Sequence, residues 1–281
     1  MNFENNVYIF GSSGFVGDSL YKKLDFSNKF TVGRTNCDVS LDLSSNKFDD
    51  LLSRVQKDDV VVFLAAISSP DLCEKNFDQA YNINVTNTIL LIDKLIVKGV
   101  KVIFSSSDAV FGSANKLCFD DSETKPFGQY GKMKSQVEES FKGNENFFVV
   151  RFSYVLAKDD KFSLMVAEHA ELGKNLDVFD GFERNVISLD DVLLGIKNII
   201  VNWNDIETRT VNFSGHQLVS RQDIVKELAD QKHPNLTYSF TEAPVSFWKG
   251  RPKRINTESK YLDAILKRPA KSYKESIKEY N

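Results

Sequence analysis

Tyr130 and Lys134 are the residues of this sequence whose types and spacing point most clearly to chemistry. They lie four positions apart, and on a helix residues at that spacing share one face. A phenol ordinarily has a pKa of about 10, and a fixed ammonium group nearby stabilises the phenolate and lowers that pKa. The pair therefore predicts proton exchange between Tyr130 and a carbonyl oxygen, as general acid in one direction and general base in the other.

A run of serines comes before this pair, at the point where a strand is expected to end. Ser105, Ser106 and Ser107 are followed by Asp108 and close the predicted strand that begins at Val100. In an open parallel sheet, ligands bind outside the carboxyl ends of the strands. We therefore expect a serine hydroxyl of this run to hydrogen-bond the same substrate oxygen as Tyr130.

Three glycines lie at three-residue intervals between the first predicted strand, Val7–Phe10, and a predicted helix that runs to about Leu24. A tight turn, a close approach of backbone to pyrophosphate, and packing of the helix on the strand each favour glycine. The start of the helix adds unpaired N–H groups and a positive dipole end. We predict a dinucleotide pyrophosphate site here, formed by Gly11, Ser13, Gly14, Phe15, Val16 and Gly17.

The end of the second predicted strand, Phe30–Val32, is where the adenosine ribose of such a dinucleotide would lie. An acidic side chain at this place accepts from the 2′-hydroxyl of NAD, whereas an arginine accommodates the 2′-phosphate of NADP. The strand is followed by Gly33, Arg34 and Thr35, with no acid among them. Arg34 therefore favours NADP(H) over NAD(H), and Asp42 with Leu43 is expected near the adenine.

The elements that must position these residues follow an alternating pattern. Short apolar runs separated by longer mixed segments predict βαβ units and an α/β fold, a Rossmann-type doubly wound parallel sheet. We expect this domain in residues 1–155 and about 186–206. A smaller, discontinuous C-terminal substrate lobe is expected in about 156–185 and 207–281. Further predicted elements are strands at Val60–Ala66, Val100–Ser105 and Phe147–Phe152 and helices at about Asp78–Lys98 and Asp190–Val201.

Composition excludes several classes of function. The formal net charge of −3 provides no overall basic field for nucleic acid. No apolar run approaches the roughly 20 residues of a membrane span, and no signal peptide is evident at the N-terminus. The three cysteines match neither a zinc site nor a disulfide framework, and the three histidines show no metal-ligand spacing. We therefore expect a cytoplasmic protein with no metal, no nucleic-acid partner and no membrane association.

These motifs, in this order, resemble the extended short-chain dehydrogenase/reductase family. Within the family, the sequence looks most like dTDP-4-dehydrorhamnose reductases and related nucleotide-sugar 4-ketoreductases and epimerases. The resemblance spans nearly the whole chain. It rests on the glycine turn, Leu64-Ala65-Ala66, Asn82-Ile83-Asn84-Val85, Ser105 to Gly112, Tyr130-x-x-x-Lys134, Arg184 to Val192, and Arg251-Pro252.

The resemblance implies a role for each matching position. Ser107, Tyr130 and Lys134 would form the catalytic triad, with Tyr130 and Lys134 also contacting the cofactor. The path of the cofactor would be lined by Leu64, Ala65 and Ala66, and Asn84, also among the cofactor-binding residues, would steady the central helix. Substrate contacts would come from Ser107, Asp108, Arg184 and Arg251, the two arginines gripping the diphosphate of a nucleotide sugar. A homodimer is a further expectation of the family.

The chain also departs from the family pattern. Family dehydratases have an Asp-Glu pair after the catalytic serine or threonine, where this sequence has Asp108-Ala109, so dehydration is disfavoured. The usual histidine of the Arg184 segment is Ser188. We expect an NADPH-dependent 4-reductase of a nucleotide-linked 4-keto-6-deoxy sugar. An NAD-dependent nucleotide-sugar 4-epimerase and a non-catalytic NADP-binding regulatory subunit are the alternatives.

Overall fold

Fifteen short strands and eleven α-helices make up the computed structural model, which describes residues 3–280. The strands are β1 (Val7–Phe10), β2 (Lys29–Gly33), β3 (Val39–Ser40), β4 (Val60–Phe63), β5 (Lys101–Ser107), β6 (Ala114–Cys118), β7 (Phe147–Phe152), β8 (Val155–Leu156), β9 (Leu176–Phe179), β10 (Glu183–Asn185), β11 (Ile187–Ser188), β12 (Thr210–Phe213), β13 (Leu218–Ser220), β14 (Tyr238–Thr241) and β15 (Ile255–Thr257).

The helices alternate with the strands through the first half of the chain and become less regular after it. They are α1 (Phe15–Lys23), α2 (Asp49–Arg54), α3 (Pro70–Lys75), α4 (Phe77–Tyr81), α5 (Thr88–Val97), α6 (Gln129–Ser140), α7 (Lys161–Leu172), α8 (Leu189–Val201), α9 (Arg221–Gln231), α10 (Leu262–Leu266) and α11 (Tyr273–Lys278). The long helix predicted from about Asp78 to Lys98 is divided, because the π-helical segment Asn82–Asn87 separates α4 from α5.

Seven strands form one parallel sheet in the order β12-β7-β5-β4-β1-β2-β3. The predicted doubly wound parallel sheet is therefore confirmed. Its central strands are buried on both faces, as the continuous apolar run Val60–Phe63 indicates, since all four of those side chains are fully buried. One apolar core lies between the sheet and α1 with α8, and a second lies between the opposite face and α2 with α5.

A separate apolar cluster underlies the second half of the chain, where α7, α9 and α11 pack with short two-stranded pairs. The division into two domains stays a prediction, but two segments expected in the substrate lobe lie with the main sheet instead. Thr210–Phe213 pairs parallel with β7 as an edge strand, since Val211 and Phe213 bury their side chains there. Leu262–Leu266 packs on α8 in the same core.

No helix within residues 3–280 combines the length and apolar character that crossing a bilayer requires. Nor does that part of the chain bring together three or more His, Cys, Asp or Glu side chains in an arrangement that could hold a metal ion.

Candidate active site

The turn between β1 and α1 is built on close backbone contacts. Gly11 has a φ of +92°, which is in the region that favours glycine. A Cβ on Gly17 would lie 2.2 Å from the carbonyl oxygen of Gly11, closer than any real Cβ contact. The first turn of α1 therefore packs directly against the strand exit, and its N-terminal N–H groups border the turn. This arrangement fits an anionic pyrophosphate, as the sequence predicts.

A cleft of about 620 Å³ opens over this turn and runs along the carboxyl edge of the sheet. It joins the glycine turn to the serines at the end of β5 and to the start of α6. Most of the residues expected to bind cofactor line it: Gly11, Ser13, Gly14, Phe15, Val16, Gly17, Arg34, Asp42, Leu43, Leu64, Ala65, Ala66, Tyr130 and Lys134. The structure thus brings both ends of the predicted site into one continuous space.

Arg34 lies at the adenosine end of the cleft, directly after β2, and its side chain is exposed. Asp42 lies near enough for the charge of Arg34 to act on it. The backbone N–H of Ser44 donates to the Asp42 carboxylate at 2.8 Å and is the largest cause of a lowered pKa of Asp42. Asp42 is therefore held ionised beside an arginine that makes no ion pair within residues 3–280.

At the other end of the cleft, Ser107 ends β5 with its hydroxyl held in place. The Ser107 Oγ donates to Asp108 Oδ1 at 3.2 Å and accepts from the Ala109 N–H at 3.2 Å. Asp108 also accepts from Ser153 at 3.1 Å and lies 3.4 Å from the Arg184 guanidinium. Asp108 is buried and does not line the cleft. Asp108 therefore positions Ser107, and its contact with substrate stays a prediction.

Tyr130 reaches the same end because α6 packs very closely on the strand exit. A Cβ on Gly131 would lie 2.5 Å from the carbonyl oxygen of Ala109, so only glycine allows this approach. One turn later, Lys134 donates from Nζ to the Ser105 carbonyl at 2.6 Å and lies 4.5 Å from the Phe104 ring centroid. Ser107, Tyr130 and Lys134 all line the cleft, as the sequence predicts.

The electrostatics of this set differ from the sequence-based expectation. Burial raises the pKa of Tyr130, and the nearby Cys73 and Asp108 act in the same direction. Burial also lowers the pKa of Lys134 to about 8, although Glu138 and Cys73 oppose that change. The prediction that Lys134 lowers the pKa of Tyr130 is therefore wrong for this structure. The ammonium group lies 5.8 Å from the Tyr130 ring centroid and is committed to a backbone carbonyl.

Asn84 acts on a loop rather than along its own helix. It is buried in the π-helical segment, where its Oδ1 accepts from the Ile67 N–H at 2.8 Å and its Nδ2 donates to the Ile67 carbonyl at 3.0 Å. It does not line the cleft. The side chain instead fixes the segment after β4, so that Leu64, Ala65 and Ala66 form the cleft wall.

Arg184 and Arg251, expected at the diphosphate of the substrate, lie outside the lining of the cleft. Arg184 is buried and donates to the carbonyls of Glu183 and Pro252, each at 2.7 Å. Arg251 forms a bidentate pair with Asp71, at 2.5 and 2.6 Å. Both guanidinium groups are thus already engaged within the protein, and their contact with substrate stays a prediction.

Ser105 and Ser106, which belong to the predicted serine run, also line the cleft. Sequence reasoning did not assign several other lining residues to the site: Gly33, Leu41, Ile67, Ser68, Gln79, Ile83, Phe152 and Ser153. Gly33, Ile67 and Ser153 each directly follow a predicted strand, so their position at a strand exit was the available signal. The Ser106 hydroxyl is buried and has no hydrogen-bond partner within residues 3–280.

The glycine turn on the first strand of a parallel sheet, and a Ser-Tyr-Lys set in the same cleft, define an extended short-chain dehydrogenase/reductase. The matching family model is described as RmlD substrate binding domain and covers residues 5–280. The chain belongs to this family.

Two curated relatives share part of the chain. The chain is similar to methionine adenosyltransferase 2 subunit beta of Mus musculus, at 31% identity over 140 residues. It is also similar to N-acetyl-alpha-D-glucosaminyl-diphospho-ditrans,octacis-undecaprenol 4-epimerase of Escherichia coli O157:H7, at 32% identity over 151 residues. Each match covers 48% of this chain and 42% of the relative, so the chain matches less than half the length of either protein.

Solved structures share the fold across almost the whole chain. The dTDP-4-dehydrorhamnose reductase of Bacillus anthracis, in complex with NADP, has a TM-score of 0.86 at 18% identity and covers 99% of this chain and 98% of its own. The UDP-glucuronic acid 4-epimerase of Bacillus cereus, with UDP-glucuronic acid and NAD, has a TM-score of 0.78 at 20% identity, covering 97% and 96%.

Proposed function

We propose that this protein is an NADPH-dependent reductase of the 4-keto group of a nucleotide-linked 4-keto-6-deoxy sugar. The observation that carries the proposal is the single cleft that contains both the Gly11–Gly17 turn and the set Ser107, Tyr130 and Lys134. A site with a phosphate turn at one end and a partly buried proton donor at the other suits reduction of a carbonyl compound.

Each side chain of the set has a distinct task in this reaction. The glycine turn Gly11–Gly17 would hold the cofactor, which when bound would supply the hydride for the C4 carbonyl carbon. Tyr130 gives its proton to the C4 oxygen, and its raised pKa keeps the phenol protonated at neutral pH, the form that a proton donor needs. Ser107 hydrogen-bonds the same oxygen, while Asp108 keeps the serine hydroxyl in position. Lys134 donates to the Ser105 carbonyl and so connects α6 to the end of β5 beside the cleft.

The preference for NADP(H) is part of the same proposal. It is supported by the exposed Arg34 at the end of β2 and by the absence of an acid among residues 33–35. A relative of similar fold binds NADP, and another binds NAD. Three free cysteines within residues 3–280 suit a reducing compartment, which supports a cytoplasmic location, and a homodimer completes the proposal.

Two other functions are supported by particular relatives. An NAD-dependent nucleotide-sugar 4-epimerase is favoured by the Escherichia coli relative and by the epimerase of similar fold. A non-catalytic NADP-binding regulatory subunit is favoured by the likeness to methionine adenosyltransferase 2 subunit beta.

A screen of 4-keto sugar nucleotides, followed by NADPH absorbance, separates the three functions. A reductase consumes NADPH in proportion to product, an epimerase shows no net redox change, and a regulatory subunit binds NADPH without oxidising it. The matched control is Tyr130→Phe, which should still bind NADPH while turnover falls by roughly 100-fold or more. Full turnover by this variant would show that Tyr130 is not the proton donor.

A further inference from the structure

Three arginines of the second half of the chain are joined by two phenylalanine rings. The Phe182 ring centroid lies 4.3 Å from the Arg184 guanidinium carbon and 4.5 Å from that of Arg221. The Phe247 ring centroid lies 5.7 Å from Arg221 and 4.9 Å from Arg251. These five residues form an arginine–phenylalanine ladder with Arg221 at its centre.

The two outer arginines of the ladder have carboxylate partners, and the central one does not. Arg184 pairs with Asp108 at 3.4 Å, and Arg251 pairs with Asp71 at 2.5 Å. Arg221 makes no ion pair and no side-chain hydrogen bond within residues 3–280, and its buried Nε has no partner. A charged group that is removed from water normally requires a counter-charge.

Asp160, the carboxylate whose charge acts on Arg221, already has other partners. Asp160 acts on Arg221 only at a distance, because its carboxylate accepts from the hydroxyls of Tyr154 and Ser163 and from the N–H groups of α7. Burial is the largest cause of a lowered pKa of Arg221, and the charge of Arg251 adds to it. The centre of the ladder therefore carries an excess of positive charge.

The ladder adjoins the substrate end of the cleft through a short chain of contacts. Ser153 lines the cleft and donates to Asp108, which pairs with the first arginine of the ladder, Arg184. From Arg184 the contacts continue through the Phe182 ring to Arg221, whose side chain is partly exposed.

We propose that Arg221, rather than Arg184 or Arg251, is the principal anion-binding residue of this lobe, and that its ligand is the diphosphate of the substrate. The identity of the ligand rests on the proposed function. A guanidinium presents a fork of donors that meets phosphate oxygens in pairs, and Arg221 is the ladder arginine whose donors are uncommitted. The rings of Phe162, Phe182 and Phe247 face it and restrict its orientation.

Titration of the full chain with inorganic pyrophosphate tests this assignment. Calorimetry is performed with saturating NADPH, so that the glycine turn is blocked. We expect Arg221→Gln to weaken pyrophosphate binding by roughly 10- to 100-fold, the range for loss of a charged hydrogen-bond donor. The matched control is Lys226→Gln, which removes an exposed cation from the same helix, over the ring of Phe240. It should leave the Kd unchanged.

Thermal unfolding establishes that the variants are folded. If Arg221→Gln does not fold, Arg221→Lys is measured instead. It keeps the charge but lacks the fork, so pyrophosphate should bind more weakly by a smaller factor. An unchanged Kd in the folded variant overturns the proposal, as does absence of pyrophosphate binding by the wild type at millimolar concentrations.

The result is independent of the test of ketoreduction. If the wild type oxidises no NADPH but Arg221→Gln loses pyrophosphate binding, the anion site is supported and the proposed reaction is not. If the wild type and Arg221→Gln reduce a keto sugar nucleotide with the same KM, the proposed reaction is supported and the anion site at Arg221 is not.

Discussion

Substitution of Gly17 by alanine tests the close packing on which the cofactor turn depends. The new Cβ would lie 2.2 Å from the Gly11 carbonyl oxygen, 2.9 Å from the Gly11 carbonyl carbon and 3.0 Å from the Ser12 Cα. All three are backbone atoms, so no side-chain rotation relieves the overlap. Because nonbonded heavy atoms prefer separations of roughly 3.5 Å, the start of α1 must move away from the turn by about 1 Å.

The energetic consequence follows from two opposing effects. Alanine is favoured over glycine inside a helix by about 1 kcal/mol, whereas overpacking typically costs about 1–3 kcal/mol. We therefore expect a net loss of stability of up to about 2 kcal/mol, and a Tm lower by a few degrees. Displacement of the N–H groups that border the turn should raise the Kd for NADPH by roughly tenfold or more, at about 1.4 kcal/mol per factor of ten.

Two measurements on Gly17→Ala decide the outcome: thermal unfolding and titration with NADPH followed by its fluorescence. Asp18→Ala is the matched control, because it changes the next residue of the same helix and removes only an exposed pair with Lys22. That control should bind NADPH as the wild type does. The reasoning is refuted if Gly17→Ala binds NADPH with the wild-type Kd and unfolds at a higher temperature, as an unhindered helical alanine would.

Two further substitutions test the electrostatics of the cleft. Arg34→Gln should raise the Kd for NADPH by roughly tenfold and leave that for NADH unchanged, since only the 2′-phosphate needs the charge; equal changes for both would show that Arg34 does not select the cofactor. Lys134→Met should lower turnover and have two opposing effects on stability at pH 7. It removes the cost of about 3 kcal/mol that a pKa lowered from 10.5 to about 8 implies for the buried charge, and it leaves the Ser105 carbonyl without its donor, at a cost of about 1–3 kcal/mol, so the net gain should be small. Between pH 8 and 10.5 the unfolded wild type holds a proton on Lys134 that the folded wild type has released. Wild-type stability therefore rises with pH in this range, and the difference in Tm between the variant and the wild type should shrink. A difference in Tm that does not depend on pH would contradict the lowered pKa of Lys134.

The central sheet could be predicted from sequence because its strands are buried on both faces. Val7–Phe10 and Val60–Phe63 are continuous apolar runs, and each coincides with a strand. The third predicted strand extended too far, to Ala66, since Leu64, Ala65 and Ala66 are also apolar. In the structure these residues leave the sheet after Phe63 to form the cleft wall, where Asn84 fixes the segment that follows. Apolar character alone does not distinguish these two environments.

The second half of the chain was less predictable, because its strands are short and its key contacts join distant parts of the sequence. Strands of two to four residues, such as Ile187–Ser188, have too little periodicity to be recognised. The partner of Arg251 is Asp71, 180 positions away, and that of Arg184 includes Pro252, 68 positions away. Sequence reasoning identified these arginines as suited to phosphate, but only the fold shows that their donors are already engaged.

The state of Tyr130 bears on the direction in which the site works. A reductase begins with a neutral phenol that gives a proton, whereas an epimerase begins by removing a proton from the substrate hydroxyl and needs the phenolate first. Burial and the neighbouring Asp108 both raise the pKa of Tyr130, so the neutral phenol is the resting form. Lys134 does not reverse this, because its ammonium is held by the Ser105 carbonyl and itself deprotonates near pH 8. The neutral phenol is the form that the proposed reduction uses, and it is consistent with that proposal.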